Sequence, residues 1–202
     1  MNLLSYLLAK NNTSPPSPTP QGLDWSLIGY TENDPPAQID TETLDGYNYA
    51  KQIYDNWVPA ENLRALYNAD TSLIYFPLVD TSIATTTRSM FFGCTNLEYV
   101  PLIDTSNSES FQTMFYNCQK LSNIPLLDTS KVTEFSGCFA ACYSLTNDDL
   151  DNILKMCMGA TSYTGTKSLV ELGLDKNYYT HNRLAALPSF NDFVNAGWTI
   201  GY

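Results

Sequence analysis

The residues able to do chemistry are few, and most of them recur at a fixed spacing. Histidine occurs once, as His181 in "YYTHNRLAAL", where a single imidazole is far more often a surface or capping residue than a general base. Cys94, Cys118, Cys138, Cys142 and Cys157 make an odd set with no C-x-x-C spacing, and without further histidines they offer no zinc site. Asp80, Asp104 and Asp128 stand 24 residues apart, each followed by Thr-Ser. A row of such carboxylates repels unless backbone amides or a cation hold each one. Bonding of each Asp to the turn of its own unit is the favoured reading, because calcium asks for about six to eight oxygens and no glycine-aspartate loop supplies them. No nucleophile elbow, Walker loop or dinucleotide fingerprint is present. The expectation is a non-enzymatic chain with no catalytic residue, no cofactor and no metal.

The spacing itself is the stronger signal. "YFPLVDTSIATTTRSMFFGCTNL", "YVPLIDTSNSESFQTMFYNCQKL" and "NIPLLDTSKVTEFSGCFAACYSL" follow one another in register. Pro77, Pro101 and Pro125 keep the 24-residue step, as do Phe91, Phe115 and Phe139 and then Cys94, Cys118 and Cys142. Leu73, Leu97, Leu121 and Leu145 do the same, and Met90 and Met114 lead to Cys138. A step of this length points to a stack of like units, each burying its apolar side against the next.

Each unit has two halves. The short aliphatic half bearing the proline predicts a brief strand. The half ending in cysteine spaces its apolar residues three and four apart, which predicts a short helix. Ser106 with Glu109 has the capping-box spacing, and Ser82 and Ser130 stand where they can cap without that partner. The fold class expected is therefore α/β: a short right-handed solenoid in which Phe91, Phe115, Phe139 and the three cysteines line one interior. Stacked side chains pointing the same way suit the disulfide dihedral poorly, which favours free thiols.

The units resemble the BspA-like group of bacterial leucine-rich repeats, whose units read "LDTSxVTxMxxMFxxCxxL". The resemblance covers Leu63 to about Leu145 and implies a leucine-rich-repeat solenoid. The first copy departs from it, with Asp70 in the cysteine place. "MNLLSYLLAK", "DWSLIGY" and "AGWTIGY" resemble segments of leucine-rich-repeat proteins carried by tailed bacteriophages and prophages. That second resemblance implies a virion component (fibre, tail or capsid-attached), with the N-terminus docked on the particle and the repeats facing outward. A bacterial cell-surface adhesin is the alternative, which a secretion signal or wall anchor would favour.

Composition narrows the partners. The 202 residues carry a net charge of −11, with ten scattered Lys and Arg, so nucleic acid and anionic membrane surfaces are not expected partners. No apolar stretch approaches the ~18 residues that span a bilayer. The organisation expected is an N-terminal anchoring helix at 1–10, a Pro/Ser-rich linker at 11–22, an N-terminal cap at 23–62, repeats at 63–145 and a C-terminal cap at 146–202. In the first cap Tyr47, Ala50, Ile53, Tyr54 and Trp57 fall on one helical face; in the second Leu150, Ile153, Leu154 and Cys157 do. Leu3, Leu4, Tyr6, Leu7 and Leu8 are the residues expected to dock on other virion proteins.

Strand alternation gives the expected binding face. With Leu97, Val100 and Leu102 pointing inward, Tyr99, Pro101 and Ile103 point out, and their equivalents are Tyr75, Pro77, Val79 and Asn123, Pro125, Leu127. Apolar ladders of this kind mark contact sites. Two readings stand side by side: a surface for a host protein or glycan, and a face covered by a neighbouring segment or an identical subunit.

Overall fold

The computed structural model describes residues 23–30 and 40–201. Among them are a 3-10 turn at Trp25–Ile28 and four α-helices: α1 (Thr41–Asp55), α2 (Asn147–Gly159), α3 (His181–Ala185) and α4 (Phe190–Asn195). No described segment forms a strand, and there is no sheet; β-pairing is confined to five isolated parallel bridges. The α/β expectation is thereby corrected. Helices lie outside residues 63–145, and inside that stretch the chain builds neither the strand nor the helix of a leucine-rich-repeat solenoid.

What the chain builds there is a stack of turns tied sideways. Thr87, Ser89, Phe91 and Gly93 donate their amides to the carbonyls of Ser110, Gln112, Met114 and Tyr116, one pass further along. The intervening Met90, Phe92 and Cys94 donate locally, to Thr87, Ser89 and Phe91. The same alternation runs from Leu63, Ala65, Tyr67 and Ala69 to Thr86, Arg88, Met90 and Phe92. It runs again from Phe111, Thr113, Phe115 and Asn117 to Glu134, Ser136, Cys138 and Ala140. An α-helix needs every amide to point along its own axis; here every second one is turned toward the neighbouring pass.

Backbone conformation explains the turning. Positive φ occurs at Ala65, Ser89, Thr113 and Gly137, and again at Ala69, Gly93, Asn117 and Ala141. Two left-handed residues four apart break any helix, and the Thr-rich, glycine-bearing sequence has little helical propensity to resist them. The expected Ser106–Glu109 capping box is absent for the same reason. Ser106 donates its amide to Asp104 Oδ1 at 2.9 Å, and the Glu109 amide goes sideways to Thr85.

Inside the stack the aromatic rungs are parallel. Phe91, Phe115 and Phe139 stack at 5.5 and 5.8 Å with their planes 10° apart, and Tyr67 extends the row to the first pass. All five cysteines are free and buried. Cys94, Cys118 and Cys142 donate their thiols to the carbonyls of Tyr67, Phe91 and Phe115, each in the preceding pass, at 2.9, 3.1 and 3.0 Å. Burial pushes the Cys94 and Cys142 thiols up to about 12.

Helices close both ends. Asp40 caps α1 by accepting the Thr43 amide at 2.8 Å, and the helix buries Tyr47 and Ala50 with Ile74 and Tyr75. A reciprocal Thr146–Asp149 capping box opens α2, whose Leu150, Ile153, Leu154 and Cys157 are buried in the main core. Beyond α2, the segment at 168–174 receives the last pass: Gly137 and Phe139 donate to Glu171 and Leu172 at 2.8 and 2.9 Å.

Candidate functional site

The proline-bearing half of each pass forms the outer wall, and there the alternation expected of a strand fails. The Ile103 amide bonds back to the Pro101 carbonyl at 2.8 Å, a tight turn centred on Leu102. Its effect is to swing Leu102 outward and Ile103 inward. Leu102 is 64% exposed and Ile103 only 2%. The neighbouring passes match: Leu78 and Leu126 are 43% and 48% exposed, while Val79 and Leu127 are buried. The ladder presented to solvent is therefore Leu78, Leu102 and Leu126.

The expected binding residues are otherwise divided. Tyr75, Pro77, Val79, Tyr99, Pro101, Ile103 and Leu127 are buried, Pro125 is half-buried, and Asn123 is exposed. The chain itself covers the first two passes. Tyr30 stacks on Tyr99 at 4.0 Å, and the Tyr99 hydroxyl donates to the Gly29 carbonyl at 2.8 Å. Trp25 packs edge-on against Tyr47 and Tyr75, and Leu78 donates its amide to Leu27. Gly29 makes this closeness feasible: it has φ +83°, and a Cβ there would lie 2.3 Å from Pro101 Cβ. Burial under this cover pushes the Tyr75 phenol up to about 12.

Asp80, Asp104 and Asp128 are spent on their own turns. Each accepts the amide of the serine two residues on, Ser82, Ser106 and Ser130, at 3.0, 2.9 and 2.8 Å. The side-chain and amide bonds from Ser106 hold the Asp104 carboxyl below the usual range, and those from Ser82 do the same for Asp80. The threonine between them ties the passes together: Thr81 and Thr105 hydroxyls donate to the carbonyls of Asp104 and Asp128, and Thr129 to Met156 of α2.

His181 is exposed at the first position of α3, its ring 6.2 Å from that of Phe190. Leu3, Leu4, Tyr6, Leu7 and Leu8 lie outside the described residues. Sequence reasoning missed the exposed leucines, although a signal was available. Leucine follows proline in all three units, whereas the next position varies among Val, Ile and Leu.

No curated protein and no solved structure matches the chain significantly. A family model does match, over residues 61–164, which is just over half of the chain. The match begins in the first pass and ends just beyond α2. The chain belongs to the family described as "Mycoplasma protein of unknown function, DUF285".

Proposed function

We propose that the chain is a non-enzymatic binding protein of a phage particle, attached to the virion and using the outer wall of its stacked passes for adhesion. The observation that carries the binding role is the exposed ladder of Leu78, Leu102 and Leu126, three branched apolar side chains in register on one wall. Its partner is a host-surface protein or glycan. The virion setting is supported by the three short strings that resemble phage-borne proteins. In this reading the segment containing Leu3, Leu4, Tyr6, Leu7 and Leu8 docks on the particle, and the proline-rich linker at 11–22 spaces the wall away from it.

Leu102→Glu combined with Leu126→Glu tests the binding role, because both residues are exposed and the fold should survive. Retention of the full chain on cells of the bacterium carrying its gene is expected to fall on the order of tenfold. Unchanged retention by a folded double variant would remove the adhesion reading. Deleting residues 1–10 tests the setting separately. The truncated chain should be missing from particles released by that bacterium, and its recovery in the cell envelope of cells making no particles would favour a surface adhesin instead.

A further inference from the structure

The exposed leucine row does not stand alone on the outer wall. Each of the three proline-bearing passes repeats one alternation: leucine exposed, the next aliphatic buried, aspartate exposed, threonine buried. In the second of them these are Leu102, Ile103, Asp104 and Thr105. Residues two apart with a buried one between them face the same way. Asp80, Asp104 and Asp128 therefore form a second exposed row beside Leu78, Leu102 and Leu126. The Thr81 and Thr105 hydroxyls hold the rows in step, donating to the Asp104 and Asp128 carbonyls at 2.7 and 2.8 Å.

The carboxylates of this row have local hydrogen bonds but no counter-charge. The serine bonds that hold the Asp80 and Asp104 carboxyls below the usual range keep both ionised at neutral pH. None of the three aspartates enters any of the four ion pairs among the described residues. Lys131, three residues beyond Asp128, gives its ammonium to Asn107 at 2.6 Å instead. The wall segments 75–82, 99–106 and 123–130 contain no lysine or arginine. Where the passes pair, as at Tyr75, Tyr99 and Asn123, they lie about 4.8 Å apart. That is inside the roughly 8 Å screening length of physiological salt, so the row acts as one negative strip. Asp104 already registers the charge of Asp80.

We infer that the partner of the wall is a protein face carrying lysine or arginine side chains beside an apolar strip. The cations meet the aspartate row and the strip meets the leucine row. The inference rests on the adhesive reading of this wall and narrows its partner. A second copy does not fit, since it brings a net charge of −11 and no cation from its own wall. An acidic glycan or a phosphate-bearing surface is repelled by the same strip. A neutral glycan answers neither row: it carries no cation, and leucine methyls offer its hydroxyls no hydrogen bond. An apolar contact flanked by exposed charge pairs gives binding that weakens as salt rises.

Asp80→Asn, Asp104→Asn and Asp128→Asn, combined in the full chain, test this. Each asparagine oxygen still accepts the serine N–H, so the turns persist, which an unchanged melting temperature checks. Retention on cells of the bacterium carrying the gene is measured at about 0.02 M and about 0.5 M salt. The native chain should lose about tenfold between the two, and the triple variant should show the native high-salt retention at both. Native retention and native salt response in a folded triple variant overturn the inference; the wall reading survives if Leu102→Glu with Leu126→Glu still lowers retention. Higher retention of the triple variant means an anionic partner and overturns it too. If the leucine variant keeps native retention, the wall reading and the inference fall together. A check on the unaltered chain, isotopically labelled, uses the peptide Lys-Leu-Lys-Leu-Lys-Leu and its glutamate counterpart at about 1 mM. Only the lysine peptide should shift the amides of residues 78–80, 102–104 and 126–128. Equal shifts from both peptides, or none from the lysine peptide, overturn the inference.

Discussion

The two ends of the stack finish the same backbone problem differently. At the C-terminal end the amides of Gly137 and Phe139 find substitute partners in Glu171 and Leu172, and side chains serve further backbone groups. Asp149 of α2 accepts the Ile124 amide at 2.6 Å and Asn152 donates to the Ile124 carbonyl at 3.0 Å, so two side chains imitate a further pass. Tyr179 bridges the Leu145 amide and the Cys142 carbonyl, and Arg183 donates to the Leu145 carbonyl at 2.8 Å. The N-terminal end covers its apolar interior with Tyr49, Ile53 and Trp57 of and beyond α1, but the carbonyls of Asn62, Arg64, Leu66 and Asn68 accept no hydrogen bond among the described residues. Covering apolar surface and satisfying backbone polarity are thus separate tasks, and the C-terminal end goes further with the second.

The largest break in this comparison should come from Asp149→Ala. It deletes the capping box of α2 and strands a buried amide, and about 3 kcal/mol of stability should be lost in urea titrations. Asp149→Asn, which keeps an acceptor oxygen, should recover part of that. A smaller contrast uses one hydroxyl at each end. Tyr179→Phe should cost about 1–2 kcal/mol, because it leaves buried backbone groups at Leu145 and Cys142 unpaired. Tyr49→Phe releases only a partly exposed Asp70 and should cost less than about 1 kcal/mol. Equal losses for the two tyrosines would erase the distinction between the ends.

The smallest effect concerns what the ends share. Burial raises the Cys94 thiol near one end and the Cys142 thiol near the other, each to about 12. A thiol in the unfolded chain ionises near about 8.5, so the unfolded state loses its protons first as pH rises. The stability from keeping these thiols neutral is fully present below about pH 8.5 and is lost as pH rises toward about 12. Melting temperatures measured from pH 7 to 10 should fall, and Cys94→Ala and Cys142→Ala should flatten that fall to similar extents. A fall unaffected by either change would mean that other groups govern it.

Much of the interior was legible because burial depends on residue type and spacing. Phe91, Phe115, Phe139 and the three cysteines were placed in one interior by their step alone, and the stripe of Leu150, Ile153, Leu154 and Cys157 lies on a helix. The secondary structure of the central passes was not legible in the same way. Thr87, Met90, Phe91 and Cys94 recur at spacings of three, one and three, which a helix and a turn stack share. Only backbone φ separates the two, and its trace in the sequence is faint: Gly93, Asn117 and Gly137, with alanine, serine and threonine at the other left-handed positions. The outer wall failed for a local reason, since one tight turn after proline inverts the alternation at Leu102 and Ile103. The cover from Trp25 to Tyr30 rests on contacts some 70 residues apart, such as that of Tyr99 with Gly29, which no local pattern announces.

The row of sequestered sulfurs has a practical consequence. Because Cys94, Cys118, Cys138, Cys142 and Cys157 are all reduced and all enclosed, an alkylating reagent can reach them only when the surrounding passes part. Mass spectrometry after a brief pulse of such a reagent would read the order in which the molecule comes apart, pass by pass, from the native chain without any introduced label.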